Sequence, residues 1–558
     1  MSQALTRSTR SDSPQASLGH HFKRGRTALF PLSLLAGWVL VLLVITAAAQ
    51  TNPTGGSPAT SPAASGQSAA SSKKVLAENL TERYFESIKN NPSKLFAFLQ
   101  QMPKGADLHN HLSGAIYAED YVRWSAEAGR CLNTTDLTVS KPDQPNDCKS
   151  GQVPVSQVLT DSTLYSRVLH GWSMLDWQLS GESGHDHFFA TFSKFGGAAV
   201  SSGAMLAAGQ SLAAQDHVHY VEFMTSPNSS GLWLAAKSVP WSDDFDQMRR
   251  QMLPAMASAI ETARQQTDES ESARDKLLKC GEPDADPACK VTVRYVYQSF
   301  RAAPKEQVFA LFLAGFELGK TDPRFVGVNL VQPEDSYISM TDFDLQMKMV
   351  GYLHSVYPSV HIALHAGELA FGLVPPEGLR NHIRGTVEVA HAQRIGHGVD
   401  IMHEDRPYEL MKEMASRNVM IEICLTSNKT ILGISGEAHP LRNYIEAGVP
   451  VSLSTDDEGV SRSSMTNEFF EAVTEQHLNY LELKKMARTG LEHSFATGKS
   501  LWKNQKTLAV VPECQSGGLR FAKPAASCSA FLKENPKAAL EWEVEHEFAQ
   551  FEGENRKK

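Results

Sequence analysis

The stretch ADLHNHLSGA, residues 106–115, sets His109 and His111 two positions apart at the end of a short apolar run. On a strand, residues i and i+2 face the same way, so both imidazoles can address one ion. Other apolar runs also end in ligating or acid–base side chains: His365 and Glu368 in HAGE, His397 in RIGHG, and Asp456 and Asp457 in STDDEG. Singly, each has a plain structural explanation. A strand-end histidine is satisfied by its neighbours, and an Asp pair beside glycine is a solvated turn. Together, three neutral imidazoles (His109, His111, His365) and the Asp456 carboxylate form a nitrogen-and-oxygen set suited to zinc, with one position left for water. Zinc lowers the pKa of such a water to about 7. His397 and Asp457 are expected to orient that water and take its proton, and Glu368 to pass a proton to a substrate nitrogen.

Eight short apolar, β-branched runs carry these residues: 106–111, 218–224, 291–298, 325–331, 360–367, 394–398, 419–425 and 449–455. Between them lie stretches with apolar residues at helical spacing, such as FDLQMKMVGYLHSVY (343–357) and PYELMKEMASRN (407–418). Alternation of this kind predicts a (β/α)8 TIM barrel, whose chemistry sits at the C-terminal ends of its strands, where the polar residues fall. Two polar gaps, 130–182 and 225–290, are expected as insertions over or beside the barrel. A helix over 75–102 and a helical extension over 465–558 complete a domain of residues 74–558.

The composition is globular, 42% hydrophobic and 21% charged. Net charge is -9, and the first 27 residues hold five basic residues against Asp12 alone, which leaves an acidic body with no basic stripe for nucleic acid. Lys23, Arg24 and Arg26 precede the apolar run 28–49, which ends in Ala47, Ala48 and Ala49. Residues 1–49 therefore read as a cleaved signal peptide, or as an N-terminal membrane anchor, and either predicts an exported body, with that segment its one membrane contact. Residues 50–73, rich in Ser, Ala, Gly, Pro and Thr, read as a flexible tether. Six of seven cysteines fall into close neighbours, 131/148, 280/289 and 514/528, which in an oxidising compartment predicts three local disulfides; reduced surface thiols are the alternative. Cys424, in the run VMIEIC, reads as a free core residue. NLT (79–81), NTT (133–135), NSS (228–230) and NKT (428–430) match the glycosylation triplet, which also arises by chance. A second HxH, His185 and His187, precedes a helix-like run rather than ending a strand and is left outside the site.

MPKGADLHNHLSGA, HAGE, RIGHGVD and STDDEG, in this order, resemble the signature of the adenosine/AMP deaminase family of metal-dependent hydrolases, over about residues 102–500. Within that family the chain is most similar to adenosine deaminase-like proteins. Its export signal and the Cys-bearing insertion after the first strand resemble the secreted adenosine deaminase growth factors. The resemblance implies one zinc per chain held by His109, His111, His365 and Asp456. It implies Glu368 as proton donor to purine N1, His397 as stabiliser of the attacking hydroxide, and Asp457 as sharing that work and contacting N7. The implied reaction converts adenosine to inosine and ammonia, with a small purine nucleoside as substrate.

Two residues depart from the pattern. Ser113 stands where adenosine-specific members carry an Asp that contacts ribose, and Gln332 where they carry a Gly close to purine N3. Both leave the sugar side of the pocket open to a related 6-aminopurine nucleoside, a free aminopurine, an N6-modified base or a nucleotide. A phosphate would want Arg or Lys; Arg380 and Arg384 follow HAGE but read as solvated surface. A competing enzyme reading is a metal hydrolase of amides or esters, a class that often bridges two metals with a carboxylated lysine. No Lys ends an expected core strand here. A non-catalytic binding or growth-factor-like protein would be marked by loss of a ligand or of the acid, and all are present.

Overall fold

Parallel pairing of the eight expected runs gives one eight-stranded sheet in strictly sequential order. The computed structural model describes residues 63–515 and 523–556. The expected signal or anchor segment and the first part of the tether lie outside these residues. The barrel strands are β1 (Gly105–His111), β2 (Val218–Thr225), β3 (Thr292–Phe300), β4 (Phe325–Val331), β5 (His361–Ala366), β6 (Arg394–His397), β7 (Met420–Ile423) and β8 (Val451–Leu453). Every residue of β1, β4, β6, β7 and β8 is buried, as befits a parallel sheet covered on both faces.

Helices sit outside this sheet between successive strands, including Lys305–Thr321, Phe343–Val356 and Pro407–Arg417. The ring closes where β8 meets β1. Asp456 N–H donates to His109 O at 2.8 Å and His111 N–H donates to Asp456 O at 3.1 Å, a parallel bridge between Asn110 and Asp456. The fold is the (β/α)8 TIM barrel.

Three expectations need correction. Residues 63–73, read as tether, are the first part of a helix, Ala63–Ile88; the alanines of this stretch favour helix. The single N-terminal helix over 75–102 is two, Ala63–Ile88 and Pro92–Gln100. Asn91 caps the second by accepting from Lys94 N–H at 3.2 Å, and Pro92 fills its first turn. Residues 225–290, expected as an insertion over or beside the barrel, connect β2 to β3. They contain the 34-residue helix Phe245–Leu278, the β2-to-β3 crossover itself, which buries Met248, Met252, Met256, Ile260 and Ala263 along one stripe. The C-terminal extension is not wholly helical, since Trp502–Asn504 and Ala509–Val510 form a small hairpin.

The segment after β1 holds a three-stranded antiparallel sheet (Cys131–Asn133, Val139–Ser140, Gln152–Pro154) and helices Ser162–Trp172 and Gly184–Phe195. Disulfides join Cys131 to Cys148, Cys280 to Cys289 and Cys514 to Cys528. Cys424 is free and buried. No helix among the described residues is long and apolar enough to cross a membrane.

Candidate active site

At the C-terminal mouth of the barrel, His109, His111, His365 and Asp456 converge from β1, β5 and the end of β8. His365 Nε2 lies 3.0 Å from His109 Nε2 and 3.1 Å from His111 Nε2. Asp456 Oδ1 lies 3.4 Å from His109 Nε2 and 3.3 Å from His111 Nε2. The other nitrogen of each ring is bound elsewhere. His109 Nδ1 donates to Glu422 Oε2 at 2.7 Å, His111 Nδ1 to Gln298 Oε1 at 3.0 Å, and His365 Nδ1 to Asn329 Oδ1 at 2.8 Å. With the protons on Nδ1, three Nε2 lone pairs face one point, a tautomer pattern that metal sites impose through the partners of their ligands.

The converging groups perturb one another strongly. Burial opposes charge on His109, but hydrogen bonds to Asp456 and Glu422 raise it to about 10. His365 is pushed well below its usual value by burial and by the neighbouring imidazoles. Burial opposes charge on Asp456 too, yet bonds from His109 and His111 hold it well below the carboxylate range. One proton cannot satisfy four converging donor atoms, whereas a divalent ion can. The donor set, imidazole nitrogen plus carboxylate oxygen, fits zinc. Proximity of donor atoms, within 4.8 Å, also groups His397 with His109, His365 and Asp456, and Asp457 with His111 and Asp456.

Close packing explains two glycines of the motifs. A Cβ on Gly396 would meet His109 Cε1 at 2.4 Å, and one on Gly114 would meet Asp457 Oδ1 at 1.5 Å. Three non-glycine residues at the site have positive φ: Gln332 at 86°, His397 at 70° and Asp456 at 62°. Strain of this kind collects where a site over-determines the backbone.

Around the converging donors stand the expected acid–base groups. Glu368 Oε1 is 3.8 Å from His397 Nε2. Burial raises the Glu368 carboxyl, which favours its protonated form. Burial likewise raises Asp457 well above its ordinary value. His397 Nδ1 donates to Asn428 Oδ1 at 3.0 Å, while its Nε2 is buried and makes no hydrogen bond.

A cavity of about 420 Å³ opens onto these groups and is lined by His111, His365, Glu368, Asp456 and Asp457, with Ser113 and Gln332 on its wall. Gln332 is anchored by accepting Ala302 N–H at 2.9 Å. Apart from Gln298, the rest of the wall is apolar, from Phe300, Val331, Pro333 and the aromatic face Phe188, Phe189 and Phe192. That face belongs to helix Gly184–Phe195, which contains the second HxH. Its histidines fasten the helix. His185 Nε2 lies 3.0 Å from Asp335 Oδ1, and His187 lies 2.8 Å from Glu182 Oε2 and 3.0 Å from His170 O. Arg380 pairs with Asp405 and Arg384 with Glu388, away from the cavity lining.

Sequence reasoning missed Gln298, Asn329, Glu422, Ser427 and Asn428. Ser427 Oγ donates to Asp456 Oδ2 at 2.6 Å. It also missed Glu334, whose carboxylate accepts the N–H groups of Gly367 and Glu368 at 3.2 and 2.8 Å. Burial opposes charge on Glu334, but Arg301 and His382 bring it down to about 2.

Among curated proteins, the chain is similar to the adenosine deaminase of Clostridium kluyveri, 26% identical over 188 residues, covering 34% of this chain and 51% of that protein. It is 32% identical to that of Shewanella loihica over 194 residues, covering 35% and 48%. It thus spans about half the length of the curated relatives it matches. Of solved structures, an N6-methyl-AMP deaminase from Arabidopsis thaliana aligns at 18% identity and TM-score 0.47, over 74% of this chain and 96% of that one. An adenine deaminase from Arthrobacter aurescens aligns at 15% and 0.42, over 73% and 97%. The family model for adenosine deaminase matches residues 207–504, from the helix before β2 to beyond β8, with His365, Glu368, His397, Asp456 and Asp457 inside it. That segment is more than half of the 558 residues, and the chain belongs to the adenosine deaminase family.

Proposed function

We propose that the protein is an exported, zinc-dependent aminohydrolase that deaminates adenosine, or a related 6-aminopurine nucleoside, to the 6-oxo product and ammonia. The observation that carries this reading is the convergence of three imidazole Nε2 atoms and Asp456 Oδ1 on one point of the cavity, beside the Glu368 carboxyl, which burial shifts upward. His109, His111, His365 and Asp456 would hold one zinc, which when bound supplies a Lewis acid that makes a water nucleophilic near neutral pH. Glu368 donates a proton to the ring nitrogen beside the carbon under attack, which makes that carbon more electrophilic. His397 and Asp457 orient the attacking water and receive its proton; the Nε2 of His397 and Oδ1 of Asp457, each buried with no conventional hydrogen bond, support this role. The aromatic face of helix Gly184–Phe195 gives a planar base a surface to lie against and keeps bulk water out.

Support for a substrate without phosphate comes from the wall, where no Lys or Arg lines the cavity among the described residues. Ser113 and Gln332 stand toward the sugar and set how a nucleoside is distinguished from a free base. The domain reading is residues 74–558 for the catalytic domain, whose first helix starts at Ala63, preceded by the targeting segment 1–49. Export is supported by three disulfides, which persist in oxidising compartments.

The test is ammonia release by purified, zinc-loaded protein from adenosine, 2′-deoxyadenosine, adenine, AMP and N6-methyl analogues. Turnover of at least one neutral aminopurine is expected, with AMP the poorest. No release from any of them would overturn the reading.

A further inference from the structure

The turn that presents Glu368 is held by a carboxylate from another strand. Glu334 follows β4 and is 2% exposed. Its Oε2 accepts the N–H of Glu368 at 2.8 Å, and its Oε1 accepts the N–H of Gly367 at 3.2 Å and the Nδ1–H of His382 at 2.6 Å. Accepting two successive N–H groups fixes the peptide between them. That peptide sets the direction in which the Glu368 side chain leaves the backbone, and Gly367, at φ +72°, supplies the conformation it needs. Arg301 grips the other side of the same turn. Its Nη2 donates to His365 O at 2.7 Å and Leu330 O at 3.2 Å, and its Nη1 lies 3.6 Å from Glu334 Oε1. Phe343 stacks on the His382 ring with centroids 4.0 Å apart, so this donor is fixed too.

None of Glu334, Arg301 or His382 lines the cavity, so the unit acts through the turn and not on the substrate. Stability alone explains it poorly. A buried ion pair roughly breaks even against apolar residues of the same volume. What an apolar replacement cannot do is receive both N–H groups of the turn.

We propose that Glu334 is a positioning residue for proton donation by Glu368, an inference that rests on the reading of Glu368 as proton donor. Misplacing a reacting group by about 1 Å costs on the order of 10²-fold in rate. Glu334→Gln keeps the volume and one acceptor but turns an amide N–H₂ toward a group that must donate. With adenosine as substrate, kcat is expected to fall about 10²-fold while KM stays within about threefold. Zinc content by elemental analysis is expected to be unchanged. Affinity for a tetrahedral transition-state analogue of the deamination should fall in the same ratio as kcat/KM, while affinity for inosine is kept. Equal losses for both ligands, or an unchanged kcat, would overturn the positioning role. If Glu334→Gln does not fold, Glu334→Asp carries the same comparison, with a loss of about tenfold expected because its charge and both acceptors survive at shorter reach. Glu368→Gln is run in parallel. Parental turnover in Glu334→Gln beside an inactive Glu368→Gln overturns the positioning role alone. Turnover retained by Glu368→Gln overturns the proton-donor reading beneath it.

Discussion

Glu422 joins two tasks that a pair of substitutions can separate. Its Oε2 accepts from His109 Nδ1 at 2.7 Å, and its Oε1 lies 2.7 Å from Arg394 Nε, all fully buried. Glu422→Gln preserves shape and leaves His109 a neutral acceptor, but removes the charge that makes the imidazole a stronger ligand. A hydrogen bond to a charged group is worth about 1.5–3 kcal/mol, and each 1.4 kcal/mol is about tenfold in affinity. Zinc binding should therefore weaken about 10–100-fold, the usual effect of losing such a partner. Stability should fall as well, because Arg394 loses one of its two carboxylates while Glu222 stays paired with it. That cost lies at or below the low end of the roughly 3–5 kcal/mol expected when a buried charge loses its partner altogether. The control is Glu222→Gln, which strips the other carboxylate from Arg394 without touching His109. It should lower Tm comparably and leave zinc affinity within about threefold. The assay is competition for zinc against a chromogenic chelator, with Tm measured on the same samples. Unchanged zinc affinity in Glu422→Gln, or equal loss in both variants, would show that Glu422 does not strengthen His109 as a ligand.

Gly114→Ala puts a Cβ where Asp457 Oδ1 now lies; kcat/KM should drop about 10²-fold or more with zinc content and fold retained, and normal kinetics would contradict the placement of Asp457. His185→Ala cuts the tie to Asp335 that holds the aromatic wall, so KM should rise about 3–10-fold with kcat little changed. An equal fall in kcat would place that helix in the chemistry. Burial pushes the Glu468 carboxyl from 4.5 to about 8. A folded-state value above the unfolded one contributes stability that is complete below the unfolded value and is lost as pH rises through the folded one. Glu468→Gln should therefore narrow the fall in Tm between about pH 5 and about pH 9, and an unchanged fall would contradict the assignment.

Legibility in the sequence followed the physics of each element. All eight barrel strands were readable because a parallel sheet covered on both faces demands nearly continuous apolar runs, and the strand-end polar residues then stood out. Glu422 did not, since MIEI gives no sign that its one acid meets an imidazole 313 positions away. Gln298, Asn329 and Glu334 were hidden for the same reason: only barrel closure and register bring them to His111, His365 and Glu368. The long helix Phe245–Leu278 was hard to read within the polar gap 225–290 because it buries one stripe and leaves the rest of its surface polar. In GHDHFFATFSKF the spacing of Phe188, Phe192 and Phe195 marks an apolar face, but spacing cannot say that Phe188 and Phe192 line a cavity. The second HxH belongs to that helix, and its histidines fasten it.

The central claim is that one zinc, held by His109, His111, His365 and Asp456, makes this chain a deaminase. The most direct test removes the metal with chelator, follows loss of adenosine absorbance, and adds zinc back in measured steps. Turnover should disappear with the metal and return in proportion to zinc, reaching its plateau at one zinc per chain. Full turnover by the metal-free protein, or none after one zinc per chain is bound, would contradict that claim.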